Sequence, residues 1–143
     1  MGDGQLQSMV VQQLRRRLIE ARPTGVVAVY LFGSFAEGRA HRESDLDVGV
    51  LLRWDAYPSA RERFEMGLRL GGELAVERKP ADVIILNDAP PTLAARIVTE
   101  GQRVFCAESA ADHAFRRDAQ LRAADLMPFL RRLARVKLEA LRR

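Results

Sequence analysis

The chain has 143 residues, nearly half apolar and under a third charged, a balance that suits one folded domain and argues against disorder. No apolar run approaches the roughly 20 residues of a membrane span, and the start MGDGQLQSMV lacks the basic and apolar regions of a secretory signal, so the cytoplasm is the expected compartment. The net charge of +4 is uneven: residues 1–107 carry 14 basic and 14 acidic side chains, whereas residues 108–143 carry 9 and 5.

Residues 5–21 place Leu6, Met9, Val10, Leu14 and Leu18 at helical spacing, and Arg22-Pro23 ends the run. Residues 26–32, VVAVYLF, are β-branched and aromatic and predict a buried strand that stops in a tight turn at Gly33-Ser34. The polar stretch 35–43 fits a short helical turn and a loop, with Gly38 as the stop. A second strand is expected over 45–52. It is followed by a helix over 59–79 with Phe64, Leu68 and Ala75 on its apolar face, which Gly71-Gly72 either weakens or lets pack closely.

ADVIILN, residues 81–87, predicts a third strand, and Pro90-Pro91 opens a helix that runs to Gly101. Residues 103–107 form a fourth, short strand. It holds Cys106, the single cysteine, which rules out an internal disulfide and a cysteine zinc site; its apolar neighbours predict a buried thiol. From residue 109 the pattern is helical to the end, with Pro128 marking the first turn of a second helix and Leu126, Phe129, Leu130, Leu133 and Leu141 as its apolar stripe. Strands alternating with helices predict an α/β or α+β domain, a sheet backed by helices in one layer pair. Residues 1–107 would form the core and residues 108–143 a C-terminal helical extension.

The chemistry concentrates in LFGSFAEGRAHRESDLDVGVLL, residues 31–52. In a strand alternate residues share a face, so Asp45 and Asp47 emerge side by side from an otherwise apolar run. Two such carboxylates repel, and burying either unpaired is costly; a bound cation relieves both problems. Oxygen ligands without a local His or Cys pair favour Mg²⁺ or Mn²⁺, and Mg²⁺ commonly completes its shell from substrate phosphates. Gly33-Ser34 offers the phosphate end, with backbone N–H groups and a hydroxyl able to face an anion. Asp82, heading the third strand, would join the pair if that strand lies beside the second. Three acids could bind two metals, the arrangement that clamps attacking and leaving oxygens in phosphoryl displacement. The bland alternative has Asp45 in a turn, Asp47 on an edge strand and Asp82 at the surface. The order of strand, Gly-Ser, polar interval, Asp-Leu-Asp and a later Asp-headed strand favours the metal site.

On Gly33-Ser34, ten intervening residues, Asp45-Leu46-Asp47 and the downstream Asp82, the chain resembles the DNA polymerase beta-like nucleotidyltransferases, in their minimal MNT-type antitoxin form. The resemblance implies a palm-like mixed β-sheet backed by helices. It implies that Asp45 and Asp47 ligate two Mg²⁺ ions, that Asp82 completes the shell of one and takes the acceptor proton, and that Gly33 and Ser34 hold the β and γ phosphates of ATP. Relatives often carry a basic residue where this chain has Glu37; Arg39 or Arg42 would supply that charge, and Ser44 completes the candidate nucleotide-binding set. The implied partner is a HEPN-type ribonuclease toxin, held in a hetero-oligomer and silenced by AMP transfer to one of its tyrosines.

Two other readings stay open: a transferase acting on a small molecule such as an aminoglycoside, and a non-catalytic antitoxin that works by docking. The tail, with six Arg or Lys among its last residues MPFLRRLARVKLEALRR, is read as a surface for a partner rather than for nucleic acid, since aromatics for stacking are few. His41 and His113 read as solvated residues, and Trp54 and Tyr57 as packing at the strand edge.

Overall fold

The structure is a computed structural model that describes residues 2–36 and 45–142. Helix α1 (Asp3–Ala21) leads into strand β1 (Val26–Phe32), then β2 (Leu46–Leu52), α2 (Ala60–Glu73), β3 (Ala81–Ile85), α3 (Pro91–Glu100), β4 (Gln102–Cys106) and the long α4 (Ser109–Leu141). Among the described residues no helix is long and apolar enough to cross a membrane.

The strands form one mixed sheet in the order β3-β2-β1-β4. β1 runs antiparallel to β2 and β4, while β2 and β3 are parallel, with α2 making the crossover. The expected mixed sheet is therefore present, but the single layer pair is not. Val10, Leu14 and Leu18 of α1 and Met66 and Leu70 of α2 pack on one face against Val29, Leu31, Val48 and Val50. Ile97 and Val98 of α3 pack on the other against Ala28, Tyr30 and Leu51. A central strand such as β1, buried along almost its whole length, needs cover on both sides, and two helix layers supply it.

Helix α1 ends as expected, at Ala21, with Arg22 in the left-handed region at φ 39° and Pro23 beyond it. Helix α2 begins where Ser59 Oγ accepts the Glu62 N–H at 3.1 Å. It stops at Glu73, short of the expected 79, because Glu77 and Arg78 turn tightly at φ 50° and 66° and Val76 pairs with Lys79. Its orientation also differs from the expectation. Phe64 and Leu68 are 63% and 65% exposed, and the face turned inward is Arg63, Met66, Gly67, Leu70 and Gly71. The glycines explain it: a Cβ on Gly71 would stand 2.9 Å from the Ala81 carbonyl oxygen, so the helix meets β3 backbone to backbone on that side. The burial of Arg63 is offset by its partners: its guanidinium grips Asp88 through two bonds of 2.9 Å, donates to the Tyr57 carbonyl at 2.8 Å and lies 4.7 Å over the Trp54 ring.

Three further expectations shift. The third strand ends at Ile85 rather than 87, since Leu86–Asp88 is a 3₁₀ turn whose Asn87 side chain accepts from and donates to the Leu52 backbone at 2.9 and 2.8 Å. Cys106 is only half-buried, because β4 lies at the sheet edge. Pro128 does not begin a new helix. α4 runs through it, and the helix absorbs a proline that costs roughly 3 kcal/mol relative to alanine in a helix interior.

The start of α4 is fastened to the sheet by a buried polar cluster. Tyr30, fully buried at the middle of β1, donates its hydroxyl to Asp112 Oδ1 at 2.6 Å, and Arg103 donates to Asp112 Oδ2 at 2.9 Å. Burial, and after it the hydrogen bond to Asp112, pushes the Tyr30 hydroxyl up to about 12. Tyr30→Phe removes one of the two donors that satisfy a buried carboxylate; urea unfolding is expected to show a loss of about 1–3 kcal/mol.

Candidate active site

The candidate site is built where β1 stops and β2 and β3 begin. Register places Phe32 opposite Asp47 and Asp47 opposite Asp82, so the end of β1 and the two acids follow one another across the sheet. Gly33 turns the chain out of β1 at φ +73°, and a Cβ there would lie 2.6 Å from Asp47 Oδ2. A side chain is excluded twice over, by the left-handed backbone and by the carboxylate. Ser34 follows in the same turn, half-buried.

Two residues without an expected role hold this turn in place. Phe35 is 4% exposed and packs in the core with Val10 and Leu46, while Gln7 of α1 donates its amide to the Ala36 carbonyl at 3.1 Å. A phenylalanine in the middle of a polar stretch was the available signal for the first. Nothing local distinguished Gln7 from other exposed-face glutamines.

Asp47 is half-buried on β2, and Asp82 is exposed at the head of β3. Asp45 stands just before β2 rather than on it, since the strand begins at Leu46, and it is exposed. The strand alternation expected to set Asp45 and Asp47 side by side therefore does not apply to Asp45. The three acids still sense one another. Burial raises the Asp47 carboxyl above its usual range, the charge of Asp82 raises it further and that of Asp45 adds to both. Among the described residues no three acidic, histidine or cysteine side chains form a ready-made metal cage. Arg39, Arg42 and Ser44, with Glu37 and His41, lie outside the described residues.

Carboxylate oxygens of this kind are the donors that a hard divalent cation takes. Among the described residues the charges acting on the half-buried Asp47 are those of Asp82 and Asp45, and both push its carboxyl upward. An incomplete cage matches an ion that keeps waters and substrate oxygens in its shell.

Residues 16–110 match the family described as polymerase beta, nucleotidyltransferase. The chain belongs to this family. Within the nucleotidyltransferases it is 32% identical over 77 residues to the protein adenylyltransferase MntA of Shewanella oneidensis, an alignment that spans 54% of this chain and 52% of that protein. The chain thus spans about half the length of that curated relative. Its fold is shared with a chain of a toxin-antitoxin crystal structure with AMP-PNP, at a TM-score of 0.60 and 23% identity over 87% of this chain and 98% of the other. It is shared as well with a chain of the tri-AMPylated Shewanella oneidensis HEPN toxin in complex with its MNT antitoxin, at a TM-score of 0.56 and 20% identity over 90% and 98% of the two chains. At these identities the likeness is one of fold: a mixed sheet of nucleotidyltransferase type.

The raised Asp47 carboxyl has a thermodynamic consequence of fixed sign. Its folded-state value lies above its unfolded one, so its contribution to stability is full below the ordinary carboxylate range and is lost as pH rises through the folded value. Asp47→Asn is therefore expected to be more stable than wild type at neutral pH without divalent cations. The gap should close on acidification, as followed by thermal melting across pH.

Proposed function

We propose that the protein transfers AMP from ATP to a tyrosine hydroxyl of a cognate HEPN ribonuclease toxin and so acts as its antitoxin, with Mg²⁺ as the natural metal and Mn²⁺ as a substitute. The observation that carries this reading is the placement of Gly33, Asp47 and Asp82 in one line across the end of the sheet. Family membership and the adenylyltransferase relative support it, as do the toxin-antitoxin complexes that share the fold.

In this reading Asp45 and Asp47 would hold two metal ions, with Asp82 completing the shell of one. When bound, such ions neutralise the charge that develops on the reacting phosphate and lower the pKa of a coordinated hydroxyl. The chain's own groups do the rest. The backbone N–H groups of the Gly33-Ser34 turn and the Ser34 hydroxyl hold the β and γ phosphates and keep the α phosphorus at the acids. Asp82, exposed and open to a second substrate, accepts the proton of the tyrosine hydroxyl as its oxygen bonds to the α phosphorus. The bond from that phosphorus to the bridging oxygen breaks, and pyrophosphate leaves. Arg39, Arg42 and Ser44 are assigned to the same phosphates. Such an enzyme works in the cytoplasm, where ATP and its target are made.

Residues 1–107 serve in this reading as the catalytic core and 108–143 as the extension that meets the toxin. Beyond the buried Asp112 and Ala119, every residue of the helix from 124 to 142 is exposed, including Phe129, Leu130 and Leu133. Its basic excess suits an acidic helical surface on the partner.

Labelled ATP and Mg²⁺ supplied with the toxin should label the toxin. Asp47→Asn and Asp82→Asn are each expected to slow labelling by about a hundredfold or more, since groups of this kind contribute several kcal/mol to the transition state. Neutralisation of the toxin by wild type with no transfer of label would leave docking as the function, and labelling of an aminoglycoside without the toxin would favour the small-molecule reading. A second measurement addresses the extension. Leu130→Asp with Leu133→Asp should leave unfolding stability within about 0.5 kcal/mol, as for exposed positions generally, while abolishing co-purification with the toxin.

A further inference from the structure

A cavity of about 230 Å³ opens beside Gly33 and is not used by the assignments above. Phe32, the register partner of Asp47, forms one wall, and Leu93, Arg96, Ile97 and Glu100 of α3 form the other. Across this end of the sheet the order is Asp82 on β3, Asp47 on β2, Gly33 at the end of β1, and then the cavity, which reaches Gly101 at the turn into β4. Gly33 itself lines this cavity, so a nucleotide with its α phosphorus at the acids and its β and γ phosphates at Gly33-Ser34 presents its terminal phosphate to the cavity mouth as well.

Among the described residues that line the cavity, Arg96 is the one cation. Its Nε donates to Glu100 at 3.2 Å, one turn along α3, with the two side chains 69% and 63% exposed. An exposed pair of this kind contributes little and is readily exchanged. A phosphate offers the guanidinium a two-pronged, charge-assisted contact that is stronger than the pair it replaces. Glu100 and the carbonyl end of α3 both make the cavity mouth negative, so an anion is admitted there only if Arg96 turns toward it.

We propose that Arg96 is a nucleotide-binding residue: it leaves Glu100 when ATP enters and holds the terminal phosphate, with Glu100 as its resting partner. This rests on the nucleotidyltransferase reading given above. It makes opposite demands on two neighbouring residues, which a merely structural helix pair would not.

The full-length chain, its Arg96→Gln, Arg96→Lys and Glu100→Gln variants, and Mg²⁺ are titrated calorimetrically with ATP and, separately, with inorganic tripolyphosphate. Arg96→Gln is expected to weaken both ligands about tenfold, the scale of one charge-assisted contact. Arg96→Lys should fall between, keeping the charge but losing the fork, and Glu100→Gln should tighten both. Unchanged affinities in Arg96→Gln overturn the inference. So does a Glu100→Gln variant that binds ATP more weakly yet tripolyphosphate normally, which would place the adenine in the cavity. Wild type that transfers label while the Arg96 variants bind like wild type sinks this inference alone; wild type that binds neither ligand sinks the nucleotidyltransferase reading with it.

Discussion

The rest of the molecule is arranged around the electrostatic tension at Asp47. Its carboxyl sits half-buried between Phe32 and Asp82 in register, with a glycine pressed against one oxygen and a second acid just upstream. Folding tolerates such a cluster only if the surrounding structure holds it, because desolvation and repulsion act in the same direction. The mixed sheet does the holding. The antiparallel pairing of β1 with β2 brings the Gly33 turn to Asp47, and the parallel pairing of β2 with β3 brings Asp82 to its other side. Strain concentrated at one point and offset elsewhere is the usual signature of a functional site.

Helix layers on both faces give that sheet its rigidity, and the two are fastened differently. The α1–α2 layer is apolar and close-fitting, with glycines on α2 letting helix and strand backbones approach. The α3–α4 layer adds the polar clasp of Tyr30, Asp112 and Arg103, which fixes where the long terminal helix leaves the domain. From residue 124 to 142 the helix has no cover among the described residues, and its apolar side chains there are exposed. The candidate site and the start of the long helix thus both rest on β1.

Much of this was legible in the residues. Apolar runs marked all four strands, Pro and Gly marked where α1 and α3 stop or start, and Gly-Ser followed by Asp-x-Asp marked the candidate site, because those signals are local. The misreadings came where packing outvoted periodicity. Phe64 and Leu68 looked like the inner face of α2, but Gly71 allows a backbone approach no larger residue could match and Gly67 fits closely against Ile85, so the helix turned its aromatic side outward. Pro128 looked like a helix start, yet a long helix can forgo one hydrogen bond. Glu77 and Arg78 gave no warning of left-handed turns, since neither residue type favours them.

The sequence by itself determined the membership of the candidate site: a glycine able to adopt positive φ, a serine after it, and aspartates at fixed intervals, all consequences of covalent spacing and side-chain chemistry. Tertiary structure alone decided their relations. Only strand pairing could set Asp82, 35 residues beyond Asp47 in the chain, opposite it in the sheet, and only the return of α3 over the second face could bring Arg96 to the cavity beside Gly33. Contacts of that kind depend on register and on which face a helix covers, and neither is written in any short stretch of residues.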